Sequence, residues 1–222
     1  SDALSEDLAY RISVDRSQRD TIVTYTNPAF AQRDVIDTDI MNQTARASLL
    51  WRPADLDGLE VQLTFAHGRS SRPTSEAAMA PFEDLINTGT SMPVFENENA
   101  SATLEITQDL GTGWVLNSRT ILSRTETDRL TYPYTLGSAD IDADYVSNET
   151  RLTFGEDGDP VFGTLGVYLN ATDQRDYLYS GYESLFDDNR RSTGVFGEVT
   201  VELGDRWSLG AGLRYQRDEI ER

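Results

Sequence analysis

Residues 194–217 read GVFGEVTVELGDRWSLGAGLRYQR, and the alternation within them decides the fold. Val195, Gly197, Val199, Val201 and Leu203 alternate with Phe196, Glu198, Thr200 and Glu202. Past Gly204, Asp205 and Arg206, the residues Trp207, Leu209, Ala211, Leu213 and Tyr215 alternate with Ser208, Gly210, Gly212 and Arg214. A period of two sends successive side chains to opposite faces, so this is a β-hairpin with one apolar and one polar face. Each arm is about nine to eleven residues long, enough for a tilted strand to cross a bilayer.

The same pattern recurs upstream. Leu8, Tyr10, Ile12 and Val14 open a first strand; Ala45, Ala47, Leu49 and Trp51 a second; Leu59, Val61, Leu63 and Phe65 a third. Ala102, Leu104 and Ile106, then Trp114, Leu116 and Leu122, then Val146, Leu152 and Phe154, then Val161, Leu165, Val167 and Leu169 mark four more. With the hairpin this makes about nine strands. The connections alternate in length: long polar stretches near 17–43, 68–100, 125–143 and 172–193, short turns near 53–58, 108–113, 155–160 and 204–206. The second long stretch has room for a short helix near Ser75–Ile86, with Pro81 as a break or a helix start. Long connections at one end and tight turns at the other suit a membrane barrel, so the long stretches are expected outside the cell and the short turns in the periplasm. The predicted class is all-β: an antiparallel up-and-down meander, part of a transmembrane β-barrel.

Three tryptophans support this. Trp51, Trp114 and Trp207 each fall within about three residues of a short turn, on the apolar face. They are the expected membrane-interface girdle; ordinary core tryptophans beside turns are the bland alternative. Single-chain bacterial barrels usually have even strand numbers, and this chain ends at Glu221-Arg222 directly after a strand, so a piece of a larger barrel is expected.

The stretch FGEVTVELGDRWSLGAGLRYQRDE resembles a hairpin of the TonB-dependent outer-membrane receptors, in which an F-G-E strand, a D-R turn and a G-L-R-Y strand recur. SNETRLTF (Ser147–Phe154) and VFGTLGVYL (Val161–Leu169) also look like barrel strands of that family. The resemblance implies a place in the bacterial outer membrane and a barrel of about 22 strands around an N-terminal plug domain. It also implies import of a scarce nutrient complex, commonly a ferric siderophore, driven by a TonB-type energy-transducing complex acting through the plug. These 222 residues contain neither the plug nor the closing C-terminal strand, so they are expected to supply wall and recognition loops. The implied partners are outer-membrane lipid, the parent chain's plug, the TonB-type complex and the nutrient ligand. A passive porin and a soluble β-sandwich adhesin are the alternatives.

Composition bounds the rest. With 38 acidic against 19 basic residues the formal charge is −19, which argues against nucleic-acid binding. There is no cysteine, hence no disulfide or thiolate metal site. No apolar run is long enough for a transmembrane helix, which leaves a barrel open. His67 is the only histidine and has no nucleophile pattern around it, so it reads as a polar rim residue and no catalytic site is predicted. Asp55, Asp57 and Gly58 lack the spacing of a calcium loop, and neither a metal nor a cofactor is expected.

The long connections hold the candidate ligand-binding residues: Tyr132, Tyr134, Tyr177, Tyr179 and Tyr182, with Arg129 and Arg175. Tyrosine offers a rigid amphipathic surface, and arginine holds anions by forked hydrogen bonds. Aromatic packing and charge needed simply to order and solubilise long loops is the competing account.

Overall fold

A computed structural model of the chain describes residues 2–26, 40–73, 76–89, 94–131, 136–156, 158–204 and 206–222, with Leu136 as backbone only. Nine long strands run in chain order: β1 Leu8–Arg19, β2 Ile40–Trp51, β3 Leu59–Pro73, β4 Val94–Gly111, β5 Trp114–Leu130, β6 Leu136–Phe154, β7 Val161–Ser180, β8 Glu183–Glu202 and β9 Ser208–Glu221. Each pairs antiparallel with the next, so the sheet is an up-and-down meander without crossover. Asp2 and Ala3 add a two-residue pairing on β1.

Register carries the period of two from strand to strand. A row starting at Leu8 passes through Trp51, Val61 and Ile106, and ends at Val167, Val195 and Tyr215. This apolar face is the exposed one: Leu213 is 82% and Ile12 63% exposed. Within the span of the apolar band the buried residues Thr64 and Ser147 lie instead on the polar face, at the alternate positions. A β-sandwich adhesin needs the opposite arrangement, its apolar face pressed on a second sheet. Where polar residues interrupt the apolar face they satisfy one another. The Ser118 and Thr150 hydroxyls lie 2.9 Å apart, and the Asn148 amide donates to Ser118 at 3.2 Å and to Thr120 at 2.9 Å. Unpaired, such groups are costly in hydrocarbon.

The strands are longer than the sequence predicts. β7 and β8 are 20 residues each and meet at a turn of only Gly181 and Tyr182. The stretch read as a long connection near 172–193 is therefore mostly strand; so are the described parts of 125–143, apart from Thr131, and parts of 17–43 and 68–100. Beyond Ala171 polar residues occupy both faces of β7, so the apolar alternation fades while the backbone ladder continues. The helix expected near Ser75–Ile86 reduces to a 3₁₀ turn at Phe82–Asp84, Ser75 lying outside the described residues.

Candidate functional site

At the short-turn end, Trp51 ends β2 and Trp114 opens β5, both on the apolar face. Trp114 is registered opposite Phe154 and stacks on it, ring centroids 5.1 Å apart. Trp207 lies just before β9, and its carbonyl accepts from the Leu203 N–H at 2.7 Å. The three rings are 41, 39 and 74% exposed, so none is a core tryptophan of the described structure.

Across the apolar span the polar face carries opposed charges. Arg52 meets Glu60 at 2.6 Å, Arg119 meets Glu105 at 3.2 Å and Arg151 meets Glu149 at 2.5 Å. Phe196 lies over Gly166, its register partner: a Cβ on Gly166 would come within 2.2 Å of the ring. The Arg151 guanidinium covers the same ring at 5.8 Å. Both a glycine and an aromatic are needed for that fit.

At the far end two connections fold onto each other. Thr24 and Tyr25 pair in parallel with Ile86 and Asn87, two segments far apart in sequence. Arg19 forks onto Glu76 at 2.9 and 2.6 Å, and the Ile22 N–H donates to the same carboxylate at 3.0 Å. These bonds hold the Glu76 carboxyl down at about 2, the Arg19 hydrogen bond contributing most. Desolvation, with Glu76 adding a little, raises the Tyr25 hydroxyl. The Asn87 amide donates to the Ala77 carbonyl at 2.7 Å, and Val23 is buried. Sequence reasoning missed this clamp. Neither Arg19 nor Glu76 stands out before the two connections are brought together.

The structure divides the candidate ligand residues between the two faces. Arg175, Tyr177 and Tyr179 continue the parity of Val167 and Leu169, so they lie on the side of the apolar face; Arg175 is paired with Asp187 at 3.0 Å. Arg129 lies on the polar face, its guanidinium 6.0 Å over the Phe95 ring. Tyr182 sits at the β7–β8 tip, 85% exposed. Tyr132 and Tyr134 lie outside the described residues. The described candidates thus do not form one cluster. Counting parity outward from the apolar band separates Arg175 from Arg129 in the sequence itself. His67 lies just beyond that band, 2.9 Å from Glu98.

Comparison with known proteins agrees with this geometry. A family model described as "TonB dependent receptor-like, beta-barrel" matches residues 23–222. The ferric yersiniabactin uptake receptor FyuA from Yersinia pestis superposes with a TM-score of 0.76 at 16% identity, covering 98% of this chain and 35% of that one. The ferric-catecholate import receptor Fiu from E. coli K12 gives 0.70 at 14% identity, covering 98% and 41%. The copper transporter OprC gives 0.67 at 13% identity, covering 96% and 33%. At such identities the likeness is one of fold, and the chain spans about a third of the length of these structures. Its sheet is part of a transmembrane barrel of the bacterial outer membrane, apolar face outward. With the family model covering nearly all of its residues, the chain belongs to the TonB-dependent receptor-like β-barrel family.

Proposed function

We propose that this chain is wall and mouth of an energised nutrient receptor whose cargo is an iron(III)–siderophore complex. The observation that carries the reading is the length of β6 to β8 beyond the apolar span. On β7 the apolar face runs from Val161 to Ala171, and the strand continues to Ser180. That is about nine more residues, roughly 30 Å at about 3.3 Å per residue. A wall projecting that far, with polar residues on both faces, suits a vestibule that receives a bulky solute. The far end is then the outer mouth, the short turns face the periplasm, and Trp51, Trp114 and Trp207 line the inner membrane–water boundary.

In this reading the charged polar face packs against a plug in the parent chain, and a TonB-type complex acts through that plug. The work is transport and recognition, not chemistry. The yersiniabactin and catecholate receptors among the similar structures support iron as cargo, while the copper transporter illustrates that the fold alone does not choose it.

The test is uptake of labelled iron by iron-starved cells with and without the gene for the parent chain. Each siderophore is supplied separately, and energy coupling is blocked in a parallel culture. Loss of one siderophore's uptake in both the deletion and the uncoupled cells supports the reading. Energy-independent diffusion of many small solutes through the protein in vesicles would establish the passive pore instead.

A further inference from the structure

At the far edge of the apolar band the lipid-facing side of the wall is not smooth. Ile12, Ala47, Phe65, Ala102 and Leu122 stand in one register row across β1 to β5. Large and small side chains thus alternate strand by strand, and the next row outward repeats the small ones at Ala45 and Ala100. Over β4 the two alanines lie between Phe65 and Leu122, both exposed. The result is an apolar groove of about 730 Å³. Its lining forfeits dispersion contacts unless a chain of matching width lies in it.

The groove opens onto charges. Arg124, Asp144 and Asp173 are registered side by side on β5, β6 and β7, and they line both the groove and a second pocket of about 460 Å³. Asp142, Arg175 and Asp187, in the next row outward, line that second pocket as well. Arg124 and Arg175 each bind one acid through Nε, Glu126 at 2.8 Å and Asp187 at 3.0 Å, which leaves their terminal nitrogens for a further acceptor. Asp142 and Asp173 form no ion pair within 4.0 Å among the described residues, and Asp144 reaches Arg124 only at 4.0 Å. Four carboxylates thus face two guanidiniums. An anion alone leaves that imbalance in place; an anion joined to an ammonium answers both signs.

We propose that groove and pocket together form a site for one zwitterionic phospholipid whose headgroup carries a primary amine, as in phosphatidylethanolamine. An acyl chain lies over Ala100 and Ala102, between Phe65 and Leu122. The phosphate accepts from Arg124 and Arg175, and the ammonium donates to Asp142, Asp144 and Asp173. Arg124 and Asp173 stand two strands apart, about 10 Å between backbones, within reach of a single headgroup for side chains of this length. A lipid of purely negative charge meets more carboxylates than guanidiniums and is disfavoured. The site faces away from the lumen and is independent of the cargo.

The experiment uses the purified full-length parent chain in detergent, stripped of lipid and titrated with phosphatidylethanolamine or phosphatidylglycerol of identical acyl chains. Native mass spectrometry reads the lipid retained on the protein. The wild type should retain phosphatidylethanolamine saturably, at about tenfold lower concentration than phosphatidylglycerol. D142N/D173N should erase the preference, bringing the two lipids within about twofold of each other. A102F, which fills the groove, should weaken both lipids alike. Thermal unfolding of each variant checks that the barrel is intact. Equal retention of the two lipids by the wild type, tighter retention of phosphatidylglycerol, or a preference that survives in D142N/D173N would each overturn the site. So would undiminished retention in A102F. The receptor reading is judged separately by the cellular uptake assay, and it stands or falls there whichever lipid the wall retains.

Discussion

β7 passes through two regions that share one ladder and differ in what surrounds them. From Val161 to Ala171 its outward positions are Val161, Gly163, Leu165, Val167, Leu169 and Ala171; from Asp173 to Tyr179 the same positions are Asp173, Arg175, Tyr177 and Tyr179. Pairing to β6 and β8 continues across the change. Backbone hydrogen bonding thus carries the strand, while the surroundings choose the side chains. In the band every outward polar atom needs a protein partner, as Ser118, Asn148 and Thr150 have. In the extension charges stand in water, and Arg175–Asp187 is one exposed pair among several.

The sharpest way to break this comparison is to place the same charge in both regions of one strand. Val167→Arg in the full-length parent chain should destabilise the barrel by about 2–4 kcal/mol near the bilayer midplane, read by denaturant unfolding in lipid vesicles. Tyr177→Arg, same strand and same face, should stay within about 0.5 kcal/mol of wild type. Equal effects at the two sites would show that Tyr177 also meets hydrocarbon.

Next comes packing on the polar face. Gly166→Val drives a side chain into Phe196 and should cost about 1–3 kcal/mol by the same measurement. Gly210→Ala, where the nearest atom to a new Cβ is Thr200 Oγ1 at 3.6 Å, should cost well under about 1 kcal/mol.

A smaller effect is expected at the tryptophan end. A double-mutant cycle on Trp114 and Phe154 should return about 0.5–1.5 kcal/mol of coupling from their stacked rings.

The smallest effect on global stability, with the clearest pH signature, belongs to the clamp. The Glu76 carboxyl sits at about 2 against an ordinary 4.5, so its bonds to Arg19 and Ile22 hold in full above about pH 4.5. Their contribution fades as pH falls toward 2. Limited proteolysis should show residues 20–26 and 76–89 becoming more sensitive over that acid range while the strands stay protected. E76Q should be sensitive already at neutral pH and lose the acid step; an unchanged pattern would remove Glu76 as the tie.

Much of the fold was legible because a half-buried strand writes its environment into every second residue. The alternation that includes Trp51, Val61, Val195 and Tyr215 reveals strand, face and order, and the wording of 194–217 points to the family. The candidate site was less legible. Tyr177 and Tyr179 looked like loop residues because polar residues on both faces erase the alternation that reveals a strand. Arg129 was singled out as an anion-binding residue, but neither Phe95 nor Gly137 was linked to it, since they come from neighbouring strands.

The sequence by itself determined the strands within the apolar band, their up-and-down order, the outward apolar face and the family. Those follow from local periodicity and short turns, which a linear string contains. Only the tertiary structure decided how far the strands run beyond the band, that residues 20–26 clasp 76–89 through Glu76, and that the Arg129 guanidinium lies over the Phe95 ring. These depend on register between segments distant in the chain, and register is fixed by the paired sheet as a whole.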